Sequence, residues 1–131
     1  MSFEIVNPES LGVPRGWNHG LLGPAGGRVL FVAGQTASNG EADPSADFVE
    51  QFRQALANVL DVVRAAGGEP EQIGRFTIFV TDMETYRASR KALGEVYRKH
   101  MGRHFPAMAL VEVTSLVDPR ALVEIEATAI L

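Results

Sequence analysis

The segment Leu122-Val123-Glu124-Ile125-Glu126-Ala127 is the most informative in the chain. Apolar residues alternate there with two carboxylates, and a period of two is that of a β-strand with one covered face. Glu124 and Glu126 then share a face, about 6.6 Å apart at roughly 3.3 Å per residue. Carboxylates in an otherwise apolar strand need hydrogen-bond or ionic partners if they are buried. Two uses stay open: one of the pair acts as a general base or acid in a partly desolvated site, or both are solvated or paired at an interface.

Working outward, Ala107 to Val113 reads as a neighbouring strand, joined to Ala121 to Ile130 through Leu116-Val117-Asp118-Pro119. That connection is short enough for an antiparallel hairpin. Gly74 to Thr81 reads as a third strand, with Phe76, Ile78 and Val80 on one face and Thr77, Phe79 and Thr81 on the other. Val29 to Thr36 is strand-like, and Gly34 within it suggests a bulge or a close approach of backbone to a ligand. Phe3 to Val6 is a short strand ending at Asn7-Pro8, and residues 10 to 28 form a glycine- and proline-punctuated loop with room for one irregular strand.

Two helices complete the pattern. Phe48, Phe52, Leu56, Val59, Val63 and Ala66 recur at helical spacing, with Asp43 as N-cap, Pro44 in the first turn and Gly67-Gly68 at the C-terminus. Asp82 caps a second helix that runs to about Met101 with Tyr86, Ser89, Leu93, Tyr97 and Met101 along its inner side, and Gly102 ends it. Two helices cover one face of such a sheet. The other face would carry Leu122, Glu124, Glu126 and Thr128, with Met108, Leu110 and Glu112 beside them. A surface half apolar and half carboxylate suggests association between subunits.

The chain has 131 residues, room for one domain spanning 1–131 at roughly 150 residues per domain. Apolar residues make up 46% and charged residues 21%, which excludes a disordered chain. A domain of this size has little depth in which to bury a private site, so a site is expected to be shallow or shared between copies. The net charge of −4 makes nucleic acid an improbable partner, although residues 85 to 104 concentrate Arg87, Arg90, Lys91, Arg98, Lys99 and Arg103 against the single acid Glu95. That stretch is a solvated face, an anion-binding rim or a weak RNA contact. The absence of cysteine removes disulfides, thiolate metal sites and thiol nucleophiles. Neither a signal peptide nor a membrane span is supported, and the cytoplasm is the expected compartment.

Little metal or nucleotide chemistry is signalled. His19 sits in the glycine-rich loop, and His100 and His104 could share a helix face only if the helix continued past Gly102, so no metal is expected. No nucleophile elbow, phosphate loop or dinucleotide fingerprint is present, and no cofactor is expected.

Several segments, in this order and spacing, carry a resemblance across nearly the whole chain. They are Phe31-Val32-Ala33-Gly34-Gln35, Gln51 and Asn58 followed by Ala65-Ala66-Gly67, Phe76-Thr77-Ile78-Phe79-Val80-Thr81-Asp82, Phe105-Pro106-Ala107, Val111-Glu112-Val113 and Val123-Glu124-Ile125-Glu126-Ala127. The sequence resembles the Rid (YjgF) family of small enamine and imine deaminases. The resemblance implies an α+β, chorismate mutase-like fold, with a mixed sheet, two helices on one face, and a homotrimer whose sheets form a central barrel with sites in the seams. It implies hydrolysis of reactive imines to a carbonyl compound and ammonia.

Carried over residue by residue, the resemblance makes Glu124 the residue that positions or activates the attacking water and Gly34 the strand-end backbone donor, preceded by Ala33 in place of a serine. Trp17 stands at the position of the loop aromatic, usually a tyrosine. Met108 replaces the arginine that clamps the substrate carboxylate, and Leu110 stands where cysteine is common. A bidentate clamp thereby becomes an apolar contact. Either the substrate is a larger or less acidic imine held by Met108, Leu110 and Trp17, or the cation has moved, with Arg90 on the second helix as its replacement. The alternative to a hydrolase is a catalytically silent small-molecule-binding or sensor protein on the same trimeric fold.

Overall fold

The β-alternation around Glu124 and the helical stripe that starts at Phe48 meet in one layered structure. The computed structural model describes residues 2–39 and 46–131. Glu4–Val6 (β1) and Gly20–Leu22 (β2) form a small antiparallel pair at one side. The main sheet comprises Val29–Gln35 (β3), Ile73–Val80 (β4), Ala107–Glu112 (β5) and Val123–Ile130 (β6), in the spatial order β3-β6-β4-β5. β6 runs antiparallel to both of its neighbours, whereas β4 and β5 are parallel.

The expected hairpin of the last two strands is not formed, because β4 lies between them. The connection instead passes over the end of β4. Val113 N–H donates to the Val80 carbonyl at 2.8 Å, and Thr81 N–H donates to the Leu122 carbonyl at 3.1 Å, so both ends of the connection are tied to that strand. A parallel β4–β5 pair needs a crossover, which the helical segment after Val80 supplies.

Helix α1, Phe48–Ala65, buries the stripe read from the sequence, with Leu56, Val59 and Val63 packed in the core. Each such side chain contributes roughly 1.5–3 kcal/mol by leaving water. Its N-cap is Asp47, whose carboxylate accepts the Glu50 N–H at 3.0 Å; Asp43 and Pro44 lie outside the described residues. Gly67 takes a φ of +87° just past the end, as the C-terminal signal required.

The second helical segment is divided. Met83–Ala88 (α2) is capped by Asp82, and Arg90–Met101 (α3) follows after Ser89, whose hydroxyl donates to the Thr85 carbonyl. That back-bond draws the hydroxyl into the preceding turn at the break. Leu93 and Met101 of α3 enter the core. No helix among the described residues is long and apolar enough to cross a membrane.

The two faces of the sheet differ sharply. Val123, Ile125, Ala127 and Ala129 of β6 and Phe76, Ile78 and Val80 of β4 are buried beneath the helices. The opposite face carries Glu124, Glu126 and Thr128, and Phe31 stands on it 80% exposed. Met108 and Leu110 do not join this face. Their partners in β4 are Phe76 and Ile78, which turns them toward the helices. Glu112 also leaves it, since its carboxylate accepts the Met83 N–H at 2.8 Å and so helps to cap α2.

Candidate functional site

Two groups of residues stand out, and they lie on opposite faces of the sheet. The first is at the end of β3. Its pairing with β6 slips between Val32 and Gln35, so that Ala33 and Gly34 together oppose Glu126. Such a bulge takes its extra residue out of the ladder and bends the strand. Glu124 fills the space this creates: a Cβ on Gly34 would lie 2.7 Å from both Cδ and Oε2 of the carboxylate. A side chain at position 34 would therefore push the Glu124 carboxylate out of its place, and Ala33 beside it is exposed.

Glu124 is half-buried and accepts no hydrogen bond from a protein group among the described residues. Glu112, by contrast, is committed to its helix cap. A carboxylate pressed against backbone but left without a protein donor can hold a water molecule and accept its proton. Glu126, one step along the strand, lines a shallow hollow of about 160 Å³ with Phe31, Arg75 and Thr77.

The second group surrounds a cleft of about 560 Å³ on the helix side. Phe52, Ile78, Leu93, Met108 and Leu110 form its apolar floor. Trp17, Tyr86, Tyr97 and Phe105 are its walls, and Arg15, Arg90 and Arg98 are its rim. Four residues singled out from the sequence, Trp17, Arg90, Met108 and Leu110, are thus brought together, while Gly34 and Glu124 meet elsewhere.

The loop that holds Trp17 is fixed by asparagines. Asn18 N–H donates to the Pro106 carbonyl at 3.3 Å and its side chain to the Phe105 carbonyl at 2.6 Å, forming an isolated bridge with Ala107. Asn7 in turn donates to the Asn18 side chain and accepts the His19 N–H. His19 packs edge-on against Trp17 with ring centroids 4.6 Å apart, so it supports the aromatic wall. Tyr97 stacks on Phe105 and donates its hydroxyl to the His104 carbonyl at 2.6 Å. Burial pushes the Tyr97 phenol well above the usual tyrosine range, which keeps this wall neutral.

Sequence reasoning missed Arg15 and Asn18 and had Arg98 only within the basic stretch and Tyr86 only on the inner side of the second helix, because the convergence of the four depends on where the loop before β2 is placed. It noted Gln51 and Asn58 without a role. Both are buried on α1 and hold the backbone on either side of the Gly34–Glu124 pair. Asn58 donates to the Thr36 carbonyl at 3.1 Å. Gln51, 1% exposed, donates to the Ala46 and Arg120 carbonyls and accepts the Leu122 N–H at 2.8 Å. Gln51→Leu should destabilise the protein by about 2–4 kcal/mol, since it orphans buried backbone groups at the start of β6. Chemical denaturation checks this; a midpoint unchanged from wild type would show that water replaces the amide.

Among the described residues, no group of three or more His, Cys, Asp or Glu side chains is arranged to hold a metal ion.

Comparison with known proteins gives the family. The model of the endoribonuclease L-PSP family matches residues 15–131. The chain is 34% identical to a RutC family protein of Pasteurella multocida, over 79% of this chain and 81% of that one. It is 35% identical to the 2-iminobutanoate/2-iminopropanoate deaminase of Escherichia coli K12, over 79% of this chain and 80% of that one. The crystal structure of YyfB, a Rid family protein from Yersinia pestis, superposes with a TM-score of 0.85 at 33% identity, covering 100% of both chains.

Proposed function

The chain belongs to the endoribonuclease L-PSP family, also known as the YjgF/Rid family, and from that premise we propose that it is a hydrolytic deaminase of a reactive imine or enamine. The observation that carries this reading is the Glu124 carboxylate, without a hydrogen-bond donor among the described residues and pressed against the bulged backbone at Gly34. The name of the Escherichia coli relative supports the reaction class.

In the proposed reaction, water held by Glu124 attacks the carbon of the C=N bond while the carboxylate takes its proton and passes it to the imine nitrogen. The resulting tetrahedral amino alcohol breaks its C–N bond as its hydroxyl proton, relayed by the same carboxylate, reaches the nitrogen, which leaves as ammonia while the carbonyl forms. Water supplies the oxygen, and no electrons are exchanged with an outside reagent. An enamine enters the same path after tautomerising to the imine.

Glu124 and the cleft containing Trp17 and Met108 lie on opposite faces of the sheet. A site that uses both therefore takes Glu124 and Gly34 from one copy and the cleft from another. The exposed Phe31 supports burial of the open face in such an assembly. We assign it as a homotrimer, in which sheets pack face to face around the axis and equivalent seams repeat.

Ammonia release from imines generated in place by an amino-acid oxidase tests the activity. Acceleration above the rate in buffer is expected; a rate equal to that of buffer for short and bulky imines alike would contradict the reading.

A further inference from the structure

Resting on the imine-hydrolase reading, we infer that the cleft takes 2-imino acids with bulky aromatic or branched apolar side chains, their carboxylate held by Arg90 and Arg98. A cleft of about 560 Å³ falls within the roughly 300–1,000 Å³ of sites that enclose drug-sized ligands. A three-carbon acid leaves most of that volume to water against an apolar floor. An aromatic side chain fills it, with Met108, Leu110 and Leu93 beneath and Trp17 and Tyr86 available as stacking partners.

The position of the charge follows from α3. Arg90, Gly94 and Arg98 succeed one another at steps of four, so they form one ridge along the cleft. The two arginine Cα atoms are about 12 Å apart at roughly 1.5 Å per residue, too far to share a carboxylate if both side chains stood straight out. Arg98 shortens the gap by running back over Gly94, where a Cβ would lie 3.3 Å from its Nη1. Glycine inside a helix costs about 1 kcal/mol, and here it lets a guanidinium lie against the helix and point toward Arg90. Neither arginine has an ion-pair partner among the described residues, whereas Arg53, Arg87 and Arg120 do. Two unpaired guanidinium forks over an apolar floor match an anion with an apolar body.

Phenylpyruvate and pyruvate are stable stand-ins for the products of a bulky and a short imine. Trp17, the only tryptophan, reports their binding by fluorescence. Phenylpyruvate should bind at least about tenfold tighter than pyruvate, and an Arg90→Gln/Arg98→Gln double variant should lose about tenfold or more of that affinity. The uncharged ketone phenylacetone should bind wild type and the double variant equally. Equal affinity for the two acids, an unaffected double variant, or displacement of phenylpyruvate by an oligonucleotide of equal affinity would each overturn the assignment. Measuring imine turnover and product-analogue binding on the same wild-type protein separates the two claims. Selectivity for phenylpyruvate that persists in a protein unable to hydrolyse any imine would leave this inference standing and remove the hydrolase reading. Turnover of short imines without that selectivity would do the reverse.

Discussion

Glu124→Gln is expected to lower imine hydrolysis by about 10²–10⁴-fold, the range spanned by a positioned general base, with little change in KM. Glutamine keeps the shape and hydrogen-bonding reach of glutamate but cannot take a proton from water. The substitution touches no core contact, because Glu124 points away from the face that Val123 and Ile125 bury against the helices. No protein group among the described residues donates to its carboxylate, so no buried donor is orphaned. Thermal stability and oligomeric state should therefore stay close to wild type. Gly34→Val should reproduce the kinetic loss with the carboxylate still present, since the added carbons occupy the space of Cδ and Oε2. Steady-state assays of ammonia release read both variants, and a Glu124→Gln enzyme retaining more than half of the wild-type rate would remove Glu124 from the chemistry.

Phe31→Glu should dissociate the assembly and abolish turnover with it. Phe31 is 80% exposed on a face that already holds Glu124 and Glu126, and an apolar ring there is stable mainly if a neighbouring copy covers it. A third carboxylate would have to be desolvated at each seam, in a hollow where Arg75 already stands beside Glu126, and taking an ion out of water costs several kcal/mol. The isolated chain should stay folded, since Phe31 takes no part in the core beneath the helices. Size-exclusion chromatography with light scattering would show a wild-type trimer and a monomeric variant; a wild-type monomer would remove the basis for a shared site.

Much of the fold is legible from local periodicity. The alternation around Glu124, the stripe of α1 and the Asp82 cap depend on nearest neighbours along the chain, and each is found within a residue or two of its expected place. Strand order is a different kind of information. The connection from Val113 to Leu122 links strands that are consecutive in sequence, yet it steps over β4, because the crossover through α1 had already set β3 and β4 parallel with a vacant place between them and the next crossover set β5 on the far side of β4. From that single displacement follows the misplacement of Met108, Leu110 and Glu112 on the carboxylate face. Alternation along β5 is visible in the sequence, but which of its two faces meets the helices is decided by its pairing with Phe76 and Ile78.

The site was legible in its parts and not in its arrangement. Gly34 and Glu124 each stand out in the sequence, one as a glycine in a strand and the other as a carboxylate in an apolar strand, but it is the family resemblance that sets them in one site. The approach of the Arg98 guanidinium toward Arg90 could not be read, since it depends on the path of a side chain over Gly94. Nor could Trp17 be placed in one cleft with Tyr97, since the two are eighty residues apart and the loop holding Trp17 is anchored by Asn18 through Phe105 and Pro106.

The central claim is that catalytic carboxylate and binding cleft come from different copies of the chain, and subunit mixing tests it most directly. Glu124→Gln lacks the carboxylate, and Met108→Trp blocks the cleft; each alone should be inactive. Unfolded together and reassembled, they should regain activity in roughly a quarter of the seams, those that combine an intact cleft from one variant with an intact Glu124 from the other. Activity no greater than that of the separate variants, in a mixture shown to contain mixed trimers, would place both halves of the site within one chain and contradict the account.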